Sequence, residues 1–152
     1  FLDYPGTAVA PPAPPRRNAG PLPRKALDAS PLLVREPGSG TRKACEEFFQ
    51  QKRAHFAKTL EVSSLEGVRE CVVAGLGLAL LPRHSVCQEL ASGRLCELPV
   101  EELPLYRSWC VVHPRGKRLS PVAQAFQAFI RNERSQISAL AVGFNGSLNV
   151  PL

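Results

Sequence analysis

The stretch Val62–Pro82, VSSLEGVRECVVAGLGLALLP, limits the fold more than any other part of the chain. Ser63-Ser64-Leu65-Glu66 fits a capping box, with Ser63 as the cap and Glu66 reaching back to it. Leu65, Val68, Val72 and Val73 recur at helical spacing, and Gly75 supplies the left-handed residue that ends many helices. Leu78-Ala79-Leu80-Leu81 follows at once, apolar at every position, and Pro82 stops it. A strand with no polar alternation is buried on both faces, as in an inner strand of a parallel sheet covered by helices above and below.

The rest of the chain continues the alternation. Pro31–Arg35 is a short strand, and Thr41 opens a helix to about Phe56 with Cys45, Phe48, Phe49 and Phe56 on one face. Leu60–Val62 is another strand. Residues 83–92 form a helix with Val86 and Leu90 inward, closed by Gly93. Leu95–Val100 and Leu105–His113 are strands. Ser120-Pro121 starts a last helix, with Ser as cap and Pro where no NH is needed. Its buried stripe is Val122, Phe126, Phe129 and Ile130. Upstream, Thr7–Ala10 is a short strand. Residues 1–37 hold nine of the fifteen prolines, so residues 11–30 read as an extended surface connection with one helical turn near Arg24–Ala29. Residues 135–152 show no pattern and read as a loose tail. The order predicts an α/β fold with a mainly parallel sheet.

Composition narrows the function classes. The 152 residues fit one domain or two small lobes. With 44% hydrophobic and 21% charged residues the chain is not wholly disordered, and no apolar run reaches the roughly 18–20 residues of a membrane span. The net charge of +6 is scattered over pairs such as Arg16-Arg17, Lys52-Arg53 and Lys117-Arg118. With two Tyr and one Trp to stack on bases, this reads as a solvated basic surface rather than a nucleic-acid groove. The start FLDYPGTAVAPP lacks the pattern of a secretory signal. Phe1 in first place and the absence of Met read as a portion of a longer chain. Cys45, Cys71, Cys87, Cys96 and Cys110 are odd in number and never closer than nine residues, which argues for reduced, mostly buried thiols in the cytoplasm.

Ligands of such sheets bind at the carboxyl ends of strands, where loops enter helices. Two loops qualify, Gly38–Thr41 and Ser63–Ser64. In Gly38-Ser39-Gly40-Thr41-Arg42 the glycines admit close approach, and the first helical NH groups lack internal partners. Ser39 and Thr41 add hydroxyls, Arg42 a positive charge, and Ser63 a second hydroxyl at the same crevice. Together these suit a carboxylate, sulfate or phosphate. The alternative is that these residues are ordinary caps and turns. The loop is not a Walker loop, and Gly75-Leu76-Gly77 is not a dinucleotide fingerprint, since it follows a helix and precedes a strand. His55, His84 and His113 have no nucleophile or acid in a recognisable arrangement, and no metal spacing is present.

These motifs resemble a known family. PLLVREPGSGTR (Pro31–Arg42) looks like the start of the second lobe of the effector-binding domain of LysR-type transcriptional regulators. Val62–Pro82 resembles that family's capped helix, glycine turn and Pro-ended strand. ELASGRLCEL (Glu89–Leu98) resembles the segment returning to the first lobe, and SPVAQAFQAFI (Ser120–Ile130) its closing helix. Thr7–Pro12 fits a crossover strand, and the similarity spans about residues 5–132. The REPGSGTR form is most similar to regulators of the carbon-fixation and sulfur-assimilation type.

The resemblance implies a periplasmic-binding-protein-like fold, two α/β lobes joined by two crossovers with an effector in the cleft. Its divisions would be residues 1–10, a first crossover and remnant of the first lobe; 11–30, the Pro-rich connection; 31–94, the second lobe; 95–132, the return crossover and closing strand and helix; and 133–152, the tail. Ser39, Gly40 and Thr41 would line the cleft, with Ser63, Gly75 and Leu76 at matching positions and Arg42 assisting. Hinge motion would concentrate at Thr7–Ala10 and Leu95–Leu98. The implied partners are a small anionic metabolite, promoter DNA through a helix-turn-helix domain not in this sequence, and further copies in a dimer or tetramer. No cofactor and no covalent chemistry are implied. Without most of the first lobe, Val111, Val112, Phe126 and Phe129 should be exposed and the isolated chain marginally stable. The rivals are a solute-binding protein of the same fold and an enzyme of that fold, such as a prephenate dehydratase or a porphyrin-pathway deaminase, whose catalytic motifs are not evident.

Overall fold

The structure is a computed structural model that describes residues 2–12, 21–23, 27, 30–50 and 58–142. It divides into two compact units, Pro5–Leu105 and Phe1–Tyr4 with Tyr106–Leu152.

The larger unit is built on a mixed sheet. Its strands are β1 (Leu2–Ala10, which starts in the smaller unit), β2 (Leu32–Arg35), β3 (Thr59–Val62), β4 (Leu78–Pro82) and β5 (Cys96–Glu97), in the order β3-β2-β4-β1-β5. β2 runs parallel to β3 and β4, as the apolar runs predict. β1 runs antiparallel to β4 and β5, which corrects the mainly parallel sheet to a mixed one. Strand direction depends on how distant segments pair, and a run such as Thr7–Ala10 carries no mark of it.

Side-chain alternation sorts the core into two layers. Leu32, Val34, Leu78, Leu80 and Ala8 pack with Cys45, Phe48 and Phe49 of α1 (Gly40–Gln50). Leu33, Ala79, Leu81 and Val9 pack with Val68 and Val72 of α2 (Leu65–Val73) and with Val86. Leu78–Leu81 is therefore buried on both faces, as expected from its composition. Residues 83–92 are not one helix. A 3-10 turn over Arg83–Val86 leads into α3 (Cys87–Ala91). The reach of α1 toward Phe56 lies outside the described residues.

Two glycines hold the α2–β4 connection. Gly75 has φ +80° and ends α2 as predicted. A Cβ on Gly77 would lie 2.3 Å from the Pro31 carbonyl oxygen, so no side chain fits there. The Leu78 amide donates to that same oxygen at 3.0 Å. The connection over residues 11–30 is not purely superficial: Leu27 is a core residue, and the Leu22 amide donates to the Pro99 carbonyl. Most of the turn expected at Arg24–Ala29 lies outside the described residues.

The smaller unit contains β6 (Leu105–Trp109, from its second residue), α4 (Pro121–Asn132) and α5 (Arg134–Val142). β6 pairs with β1, Ser108 donates to Asp3, and Tyr4 lies against Trp109 with ring centroids 5.4 Å apart. Ser120 caps α4 by accepting from the Ala123 amide at 3.3 Å, and Pro121 takes the first helical position. The stripe expected to be buried on α4 is mostly not. Val122, Phe126 and Phe129 are 79%, 60% and 57% exposed, and Ile130 alone of the four is buried. Val111 and Val112 are exposed as well, so all four residues expected to lie open without most of the first lobe, Phe126 and Phe129 included, do so. α5 corrects the patternless tail, and residues 143–152 lie outside the described ones.

Candidate functional site

Parallel register decides which loops share an edge. Arg35, the last residue of β2, is the partner of Val62, the last of β3. The turn leading into α1 and the turn leading into α2 therefore leave the sheet side by side. β4 is parallel to β2 and adds a third loop, Arg83–Val86, at the same carboxyl edge.

In the first turn the Ser39 amide donates to the Glu36 carbonyl at 3.2 Å, and the Ser39 carbonyl accepts from the Lys43 amide at 2.9 Å. Ser39 is thus the residue before the helix, and the amides of Gly40, Thr41 and Arg42 are its first, without acceptors in the preceding turn. Space around Gly38 and Gly40 is open. The second turn corrects the sequence reading. Ser64, not Ser63, caps α2, accepting from the Gly67 amide at 2.9 Å, with φ and ψ extended. The box slips by one residue because two serines stand in tandem and either can offer an oxygen. Ser63 is exposed. Among the described residues, no hydrogen bond engages the hydroxyls of Ser39, Thr41 or Ser63.

The guanidinium of Arg42 is engaged. Its Nε donates to Glu46 Oε1 at 2.5 Å, and its Nη1 to the Arg35 carbonyl at 2.8 Å and to Glu61 Oε2 at 3.1 Å. The bond to Glu46, with the further one to Glu61, raises its already high pKa. Arg35 donates twice to its neighbour Glu36, at 2.7 Å each, and this holds the Glu36 carboxyl below its ordinary range. The edge therefore offers an anion hydroxyls and amides, while Arg35, Arg42 and Arg83 are each held by a carboxylate. Glu61 was missed in the sequence because it acts through Arg42, a partner that only folding supplies, and Ser64 was passed over because the serine beside it offers the same cap.

Gly75 and Leu76 are not brought to this edge. Their turn lies beside Pro31, which precedes β2, and the four residues of β2 separate it from Ser39 by about 13 Å at about 3.3 Å per residue. In the smaller unit, a cavity of about 550 Å³ between Cys110, Val111, Gln127, Ile130, Arg131 and Arg134 holds none of the expected site residues.

All five cysteines are free. Cys45 is buried, and burial pushes its thiol up to about 12, so it stays neutral and inert. Cys71, Cys87 and Cys96 are half-buried and Cys110 is exposed, which corrects the expectation of mostly buried thiols. Half-buried His84 titrates below its ordinary value because of desolvation, His113 is exposed, and His55 lies outside the described residues. Among the described residues, no group of three His, Cys, Asp or Glu could hold a metal, and no helix is long and apolar enough to cross a membrane.

Residues 1–135 match the family model of the LysR substrate binding domain. The chain belongs to that family. A RuBisCO operon transcriptional regulator of Allochromatium vinosum is 36% identical to it over 137 residues, 90% of this chain and 45% of the relative. The HTH-type transcriptional regulator CbbR of Xanthobacter flavus is 45% identical over 108 residues, 70% of this chain and 32% of the relative. The LysR domain described here thus spans less than half the length of these curated relatives. The regulatory domain of Synechocystis CcmR, solved in complex with 2-PG, superposes with a TM-score of 0.78 at 31% identity, covering 87% of this chain and 64% of that one. The regulatory domain of HypT from Salmonella typhimurium shares the fold, with a TM-score of 0.64 at 22% identity.

Proposed function

We propose that this LysR domain is the ligand-sensing portion of a transcriptional regulator, and that the carboxyl edge of β2 and β3 holds the anionic group of a small metabolite. The observation that carries the reading is the pairing of Arg35 with Val62, which sets the two helix-entry turns together in a chain of this family. Ser39 and Thr41 would donate hydroxyls, the amides of Gly40 and Thr41 would face the anion, and Ser63 would reach it from the second turn. Arg42 acts by holding the first turn in place. Gly75 and Leu76, at the opposite edge, take no part in this contact.

Binding changes no covalent bond in this reading. It shifts the balance between two arrangements of the intact cytoplasmic regulator, and for that the effector must favour one of them. The motion concentrates at Thr7–Ala10 and Leu95–Leu98, and an oligomer carries it to helix-turn-helix domains on promoter DNA. The relatives named above are transcriptional regulators, which favours this reading over a solute-binding protein or an enzyme of the same fold.

The ligand bound to the CcmR domain directs the test. Calorimetry of the intact regulator with 2-PG, inorganic phosphate and sulfate should find binding by at least one. Removing a hydrogen bond to a charged group costs about 1.5–3 kcal/mol, so Ser39→Ala and Thr41→Ala should each weaken it by about tenfold or more. If both variants keep every response of the wild type, the edge is not the site.

A further inference from the structure

Arg42 spans three separate pieces of the carboxyl edge. Its Nη1 closes the last carbonyl of β2, at Arg35, and the same nitrogen reaches Glu61 on β3, 19 residues away in sequence. Its Nε returns to Glu46 one turn along α1. Glu61 pairs in register with Val34 on the neighbouring strand, so its carboxylate is presented from the strand beside the one that Arg42 caps.

We propose that Glu61 is a positioning residue for the Gly38–Arg42 turn. It fixes the guanidinium between strand and helix, and so fixes the hydroxyls and amides that meet an anion; the second half of this statement rests on the effector reading above. One exposed ion pair would hold little. Here a guanidinium whose side chain is only 23% exposed meets three acceptors on three elements, and its rigid fork of donors is what allows one side chain to do so. Without Glu61 the tie to β3 is lost, and Arg42 is left with its own helix and the carbonyl of Arg35. Glu61 also keeps the charge of Arg42 on a carboxylate, so the anion is read by neutral donors.

The test is hydrogen exchange on the intact chain, read at the Ser39 and Lys43 amides, whose acceptors are the Glu36 and Ser39 carbonyls. Glu61→Ala should speed exchange at both by about fivefold, the factor for about 1 kcal/mol of local stabilisation, and leave the α2 amides unchanged. Glu61→Gln keeps an oxygen acceptor and should restore most of the protection. Arg42→Lys, which has no fork, should resemble Glu61→Ala. Wild-type exchange in both Glu61→Ala and Arg42→Lys overturns the proposal. Calorimetry with 2-PG separates it from the effector reading: binding weakened about fivefold by Glu61→Ala supports both, whereas altered exchange in a protein whose binding ignores Ser39→Ala and Thr41→Ala leaves the positioning role standing and removes the effector site.

Discussion

At the scale of single residues, one serine of the tandem Ser63-Ser64 caps α2 and the other does not. Ser64→Ala removes the bond to the Gly67 amide and should cost about 1 kcal/mol in urea unfolding, whereas Ser63→Ala should leave stability unchanged. Equal losses would mean that the cap is shared. Gly77→Ala drives a Cβ into the Pro31 carbonyl and should cost about 3 kcal/mol or more, because backbone on both sides must move. Cys45 gives a pH signature. Below its ordinary value of 9.0 the thiol is neutral both folded and unfolded, so stability does not depend on it. Above that value the unfolded chain loses the proton while the folded chain keeps it to about 12, so stability falls as pH rises through this window. Denaturation followed from pH 8 to 10.5 should show the fall, and Cys45→Ala should remove that part of the slope. Ser39, Thr41 and Ser63 could be proposed from sequence as candidates because a loop entering a helix has a local pattern. The engagement of Arg42 by Glu61 could not, since nothing local relates positions 42 and 61.

Among the elements, those set by local signals were the legible ones. The glycine stop of α2, the Pro start of α4 and the uniform run of β4 each carry their own mark. Direction and burial depend on partners: helical spacing marked an apolar stripe on α4 that faces solvent, as expected only once the missing first lobe is considered, and the antiparallel run of β1 against β4 had no mark in the sequence. Element packing also uses charge. Glu89 of α3 is buried, with Arg69 Nε of α2 at 3.3 Å and Arg94 Nη1 at 4.0 Å, and Arg94 reaches on to Glu70 at 3.1 Å. The cluster ties α3 to α2. Because Glu89 is the buried member, Glu89→Ala should cost about 2 kcal/mol, more than removal of exposed Glu70, as read by thermal unfolding.

For the molecule as a whole, the two units differ in how well they bury their apolar residues. The larger holds two core layers on one sheet, while the smaller leaves Val111, Val112, Val122, Phe126 and Phe129 open to solvent. A hydrophobic dye should therefore bind the isolated chain, and the pair Phe126→Ser and Phe129→Ser should roughly halve the signal without shifting the unfolding of the larger unit. An undiminished signal would place the dye elsewhere. β1 has a mechanical consequence of its own. Its first residues belong to the smaller unit, and its later ones lie in the interior of the larger unit's sheet, bonded on one side to β4 and on the other to β5. A tug along such a strand loads the bonds on its two flanks together and must slide the register of both before any gives way. Pulled along its length, this stretch would shear from its two neighbours rather than unzip one bond at a time.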